Sequence, residues 1–246
     1  MAAKVKIGMI TPALLEKFAW LSTEYVRQPI SGIVLRFPGL GNNGMKSDPD
    51  LNDLEWGQSG ALTVLPYQDP WGWMNPSVQH FINDLVEAIR RRYDLAPEVP
   101  LLSTGGSMGG HAALLYAMKS HHRVAACMAL WPVCDLPFHY TERADLPRTL
   151  HHAFGNYEDI TAALREHSPL HQVESMPDIP YLLVHGEKDQ AVGKTAHSDP
   201  MVAAMRQRHL QVEYVERPKL GHGGPLDYET QRKMIDFVIS NLKHRN

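Results

Sequence analysis

Thiols are scarce in this chain. Cys127 and Cys134 are its 2 cysteines in 246 residues, too few for a disulfide framework. Cys127 lies in an apolar run, as a buried small hydrophobe does, and Cys134 sits just beyond that run. A bond between them stays open on sequence, and a reduced, cytoplasmic protein is the simpler reading. Charge of one sign is scarce too. The formal net charge is -3 and no basic block occurs, which argues against nucleic-acid or anionic-membrane partners. No apolar run approaches the ~20 residues of a membrane span. The first ten residues, from Met1 to Ile10, lack the apolar stretch of a signal peptide. Internal repeats and low-complexity linkers are also missing. What remains is an ordinary globular composition, 43% apolar and 21% charged, long enough to bury a core. One domain over residues 1–246 is expected.

The chain then reads as strands alternating with helices. Residues 18–26 suggest a strand antiparallel to the rest, after a helix or loop from Pro12. Residues 30–37 and 61–65 have strand character, with a short helix around Leu51, Leu54 and Trp56 between them. Residues 77–91 predict an amphipathic helix with Phe81, Leu85, Ala88 and Ile89 on one face. Further apolar strands lie near 100–104, 124–130, 179–184 and 211–215, with helices at 111–118, 200–209 and 227–242. The 132–177 crossover holds two expected helices, near 146–154 and 157–167. Such alternation implies a mostly parallel sheet flanked by helices on both faces, with right-handed crossovers. Residues 137–176 are either a small helical cap over the site or an ordinary connection.

The organising stretch is Gly105-Gly106-Ser107-Met108-Gly109-Gly110, between an apolar strand and a helix. Gly-x-Ser-x-Gly in that setting is a nucleophile elbow, which lifts one hydroxyl above the end of a buried strand. Alone, the pattern is often just a glycine-rich loop. Two residues downstream give it weight. Asp189 and His222 each lie just past a predicted strand, in the order Ser, Asp, His. The carboxyl ends of parallel strands form one rim, where sites assemble. Asp135 also lies just past a strand and is the rival acid.

Together these motifs resemble the α/β-hydrolase fold, and within it the prolyl-oligopeptidase-like and dienelactone-hydrolase-like branch. The resemblance rests on the elbow, on Ser168-Pro169-Leu170 with residues 179–189, and on Gly221-His222-Gly223-Gly224. It runs from about Ile33 to the carboxyl terminus. It implies Ser107 as nucleophile, His222 as base and then acid, and Asp189 as the group orienting the imidazole. The Met108 amide and the Leu40 amide, in the loop after Phe37, are the candidate oxyanion donors.

Other residues keep two readings. Tyr67, Trp71, Trp73 and Met74 either pack their loop or line an acyl or alcohol pocket. Trp131, Phe138, Tyr140 and Phe154 are walls if the crossover covers the site. His111 reads as a helix or pocket residue and His185 as structural. His121-His122 and His151-His152 lack acidic partners at metal-ligand spacing, so neither a metal nor another cofactor is expected. The expected partner is a small-molecule ester, and the expected activity is that of a carboxylesterase. The resembled peptidases carry a β-propeller, which 246 residues leave no room for, and no glutamate pair for a peptide amino terminus is evident. The alternatives are a small serine peptidase, a non-catalytic binding protein on the same fold, and a lyase using the same triad. Sequence does not set the oligomeric state.

Overall fold

The computed structural model describes residues 10–242, so nearly all of the stretch read for a signal peptide lies outside the described residues. Seven strands form one sheet: β1 (Ala19–Leu21), β2 (Gly32–Phe37), β3 (Ala61–Pro66), β4 (Leu101–Gly106), β5 (Val124–Leu130), β6 (Tyr181–Gly186) and β7 (Val212–Arg217). Their order across the sheet is β1-β3-β2-β4-β5-β6-β7. β1 runs antiparallel to β3, with Trp20 opposite Leu65, and the other pairings are parallel. β1 is shorter than its sequence pattern, because the chain turns at Ser22, where Tyr25 N donates to Ser22 O.

The helices are α1 (Leu51–Gln58), α2 (Pro76–Tyr93), α3 (Met108–Lys119), α4 (Leu136–Glu142), α5 (Leu146–Phe154), α6 (Ile160–Glu166), α7 (Ser198–Gln207) and α8 (Tyr228–Asn241). Local chemistry sets their starts. Asn75 accepts from Val78 N ahead of Pro76 in α2, and Asp227 accepts from Thr230 N at α8. Sequence anticipated α5 and α6 but not α4. That helix begins at a proline-containing turn capped by Asp135 and buries only Leu136 and His139, so its sequence shows no apolar stripe, although at 7 residues it is as long as α6.

Parallel strands covered on both faces read as continuous apolar runs, and the structure sorts each run into two cores. Ile33, Leu35 and Phe37 of β2 join Cys127 and Ala129 of β5 and Tyr181 and Leu183 of β6, under α2, α3 and α7. Val34, Met128, Leu130, Leu182 and Val184 point the other way, to Trp56 of α1 and Met234, Ile235 and Val238 of α8. This is the period of two that every extended chain obeys. A third core lies off the sheet, where Trp73, Met108 and Val192 meet Leu136, Leu146, Leu150 and Phe154 of the crossover helices. Of the expected helix face around Leu51, only Trp56 is buried; Leu51 and Leu54 are exposed.

Candidate active site

Ser107 joins β4 to α3 with φ 59 and ψ -125, a conformation sparsely populated by non-glycine residues. Neighbouring glycines permit it. A Cβ on Gly109 would stand 2.2 Å from Phe37 O, and one on Gly105 would stand 2.5 Å from Gly109 C. Contacts that close exclude any side chain. Ser107 N donates to Leu130 O, which ties the elbow to the end of β5.

The acid and the histidine reach the same rim from β6 and β7. Gly186 ends β6 so close to the next loop that a Cβ there would lie 2.0 Å from Leu220 O. Lys188 N donates to that same carbonyl at 3.0 Å. This contact holds the His222 loop against the Asp189 turn. Asp189 Oδ1 accepts from Ala191 N and Val192 N, each at 2.9 Å. Asp189 Oδ2 lies 2.7 Å from His222 Nδ1. Burial alone would raise the Asp189 carboxyl, but hydrogen bonds from His185, His222 and Val192 N outweigh it and hold the group well below the usual carboxylate range. Asp189 is therefore an anion at neutral pH and accepts the proton on His222 Nδ1, which leaves His222 Nε2 with a lone pair.

Ser107 and His222 line one cavity of about 1050 Å³, together with Trp131, Met45, Asp50, Asn52 and Gln231. The Trp131 ring lies 6.0 Å from the His222 ring, centroid to centroid. Ser107 Oγ makes no hydrogen bond among the described residues. Nucleophile–base contacts are often loose in unliganded sites. The Leu40 and Met108 amides donate to no other group among the described residues; Met108 is the first residue of α3, whose amide has no intrahelical acceptor. Gly39 passes close to Ser107, since a Cβ there would lie 4.0 Å from Ser107 Cβ. A histidine with an unspent lone pair, a carboxylate behind it and two unpaired amides are groups that suit acyl transfer, while Leu40 and Met108 themselves are not among the residues lining the cavity.

The pocket residues read from sequence fare differently. None of Tyr67, Trp71, Trp73 and Phe138 lines that cavity. Trp73 is 1% exposed, and its indole N–H donates to Thr149 Oγ1 of α5 at 3.1 Å. It pins the aromatic loop to the crossover, because a buried indole N–H must find an acceptor. Trp71 lies edge-on to His152, with the Arg148 guanidinium over its ring. Phe138 is exposed and edge-on to His197. The 137–176 insertion packs beside Met108 and contributes no residue to the cavity wall. Of the candidate walls only Trp131 lines it. Asp135, the rival acid, caps α4 and lies 3.4 Å from His171.

Sequence missed a second histidine–carboxylate cluster. Glu142 Oε2 lies 2.5 Å from His139 Nδ1 and 2.9 Å from His197 Nε2. Burial raises Glu142, but these two hydrogen bonds win and bring it down to about 2. The three ligand atoms lie within 4.8 Å of one another. A metal there would need the lone pair of His197 Nε2. That imidazole already spends its one lone pair at Nδ1, which accepts from Cys134 N and Asp135 N at 3.2 Å each. The cluster fits a structural tie better than a metal centre. Only the His139–Glu142 spacing was visible in sequence; His197 is 55 residues away from Glu142.

Both cysteines are free and buried. No helix among the described residues is long and apolar enough to cross a membrane.

Residues 79–245 match the prolyl oligopeptidase family. A stretch of 110 residues is 32% identical to the uncharacterized peptidase YtmA of Bacillus subtilis (strain 168), covering 44% of this chain and 42% of that protein. Uncomplexed acylaminoacyl peptidase of Pyrococcus horikoshii superposes with TM-score 0.75 at 16% identity, over 93% of this chain and 40% of that one. A truncated carbohydrate esterase from gut microbiota superposes with TM-score 0.71 at 15% identity, over 88% of this chain and 87% of that one. The matched stretches thus cover less than half the length of either peptidase. These likenesses establish the α/β-hydrolase fold, and the match over residues 79–245 establishes the lineage: the chain belongs to the prolyl oligopeptidase family of serine hydrolases.

Proposed function

We propose that this protein is a carboxylesterase that cleaves small or medium carboxylic esters through an acyl-enzyme on Ser107. The observation that carries this reading is the 2.7 Å contact of His222 Nδ1 with Asp189 Oδ2, on a histidine that shares its cavity with Ser107. The roles come from where the protons sit. His222 Nε2 takes the Ser107 Oγ proton as the oxygen attacks the ester carbonyl. The resulting oxyanion is met by the Leu40 and Met108 amides, and loss of one such donor typically costs about a hundred- to a thousand-fold. Imidazolium then protonates the departing alkoxide. A water, deprotonated by the same nitrogen, releases the acid and restores Ser107.

Two features favour esters over peptides. Asp50, the one carboxylate among the described residues lining the cavity, is tied to Arg36 at 2.5 Å and Lys46 at 3.2 Å. That leaves no free anion to grip a peptide ammonium. The carbohydrate esterase is also matched in size by this chain. The second reading is a small peptidase, favoured by the family and by the peptidase YtmA.

A panel of p-nitrophenyl esters and aminoacyl-p-nitroanilides, run on wild type and Ser107→Ala, tests the choice. Ester turnover that exceeds anilide turnover and vanishes in Ser107→Ala is expected. Faster anilide cleavage makes the protein a peptidase. Failure of the wild type to react with a fluorophosphonate removes both readings in favour of a binding protein on this fold.

A further inference from the structure

Asp189 has a second imidazole behind it that the triad roles leave unassigned. His185, in β6 four residues before Asp189, is wholly buried. Its Nε2 lies 2.9 Å from Val192 O. A carbonyl can only accept, so Nε2 carries the proton and Nδ1 carries the lone pair. Ser198 Oγ, 2.6 Å from Nδ1, then has to donate to it. Ser198 is itself buried, at the first residue of α7. The acceptors at Nε2 thus set the tautomer of His185, and the Ser198 hydroxyl turns to suit it. Its Nε2–H also stands 3.3 Å from Asp189 Oδ2, the oxygen that accepts from His222.

His185 cannot serve as the base, because it does not line the cavity that holds Ser107. We infer that His185, held as its Nε2–H tautomer by the acceptors Val192 O and Asp189, is a positioning residue that fixes Asp189 Oδ2 in line with His222 Nδ1 and shares the charge of that oxygen. With Ala191 N and Val192 N on Oδ1, both carboxylate oxygens are then held by protein donors. Rotation of the carboxylate about its Cβ–Cγ bond would break contacts at both ends. Among the described residues, the titratable groups facing Asp189 are His185 from β6 and His222 from the β7–α8 loop. The groups facing His222 are Asp189, the Trp131 ring beyond β5 and the cavity that Ser107 lines. The kinetic part of this inference rests on the hydrolase reading; the geometric part does not.

The test uses the full chain with His185→Leu, His185→Gln and Ser198→Ala. Two readouts apply: kcat and KM for a p-nitrophenyl ester across pH, and the downfield proton resonance of the His222 Nδ1–H. With one donor removed, more carboxylate charge falls on His222 and favours its imidazolium. His185→Leu is expected to lower kcat about tenfold or more with KM nearly unchanged, as small misplacements of catalytic groups do. The acidic limb of kcat/KM moves to higher pH and the resonance shifts. His185→Gln, which keeps a donor, recovers part of the rate, and Ser198→Ala moves the limb and the resonance in the same direction by less. If folded variants lose thermal stability while kcat, the acidic limb and the resonance all match wild type, His185 is a packing residue and the inference fails. Should His185→Leu not fold, the other two variants decide. If the wild type hydrolyses nothing, the hydrolase reading fails, and the resonance, read without substrate, still decides whether His185 positions the pair.

Discussion

Two histidine–carboxylate pairs in this molecule are alike in distance and opposite in consequence. His222 and Asp189 meet at 2.7 Å at the rim of the sheet. His197 and Glu142 meet at 2.9 Å between α7 and α4. In both, a carboxylate accepts one imidazole proton. The difference lies at the other ring nitrogen. Nε2 of His222 keeps its lone pair beside an open cavity that holds Ser107. Nδ1 of His197 spends its lone pair on two backbone amides, in a side chain with no exposure at all. A basic nitrogen needs an unspent lone pair and access to a proton; the first pair has the lone pair and a cavity shared with Ser107, and the second ties two helix starts together.

Substitutions test that contrast directly. Ser107→Ala or His222→Ala should each lower ester kcat/KM by about 10⁴-fold or more while the melting temperature stays within a degree or two of wild type. A His222→Ala protein that melts well below wild type would make the first pair structural as well. Asp189→Asn comes next: about 10³- to 10⁴-fold in kcat, because an amide donor in place of the carboxylate disfavours the working tautomer.

Glu142→Gln should do the reverse. It replaces a half-buried anion that two imidazole donors face, at a cost of about 2 kcal/mol in urea unfolding, with kcat per folded molecule unchanged. The pH dependence has a definite sign. Glu142 is lowered from 4.5 to about 2 in the fold, so its contribution is fully present above 4.5 and is lost as pH falls through about 2. The stability gap between wild type and Glu142→Gln should therefore narrow progressively below pH 4.5. A constant gap from pH 7 to 3 would remove the ionic account of the cluster. Smallest of all, Trp73→Phe forfeits the hydrogen bond to Thr149, for about 1 kcal/mol of stability, and leaves KM for esters unchanged. A KM change would return Trp73 to the pocket.

Much of the candidate site was legible because its parts obey local rules. Ser107 announces itself through glycines that a tight strand–helix turn requires. Asp189 and His222 were legible by position, since residues just past parallel strands share a rim whatever the intervening loops do. The pocket obeyed no local rule. Trp73 and Met74 sit at φ 43 and 50, a reversal that carries the Trp73 indole into the crossover core. Nothing in the aromatic loop's composition distinguishes that turn from one facing solvent. α4 was invisible because it buries only Leu136 and His139, which leave no apolar stripe to detect. His185 read as structural, and its tautomer emerged only once Ser198 and Val192 O were seen on its two nitrogens.

The alternation of strands and helices was readable along the chain, as was the position of Ser107, Asp189 and His222 just past strand ends, since periodicity and turn chemistry act over a few residues. Tertiary structure alone decided which loops meet the cavity, and which imidazole nitrogens keep a lone pair. Those outcomes depend on contacts between segments far apart in the chain, such as Gly186 against Leu220 and Trp73 against Thr149. A histidine's chemistry is set by what each ring nitrogen touches, and such partners come together only when the chain folds.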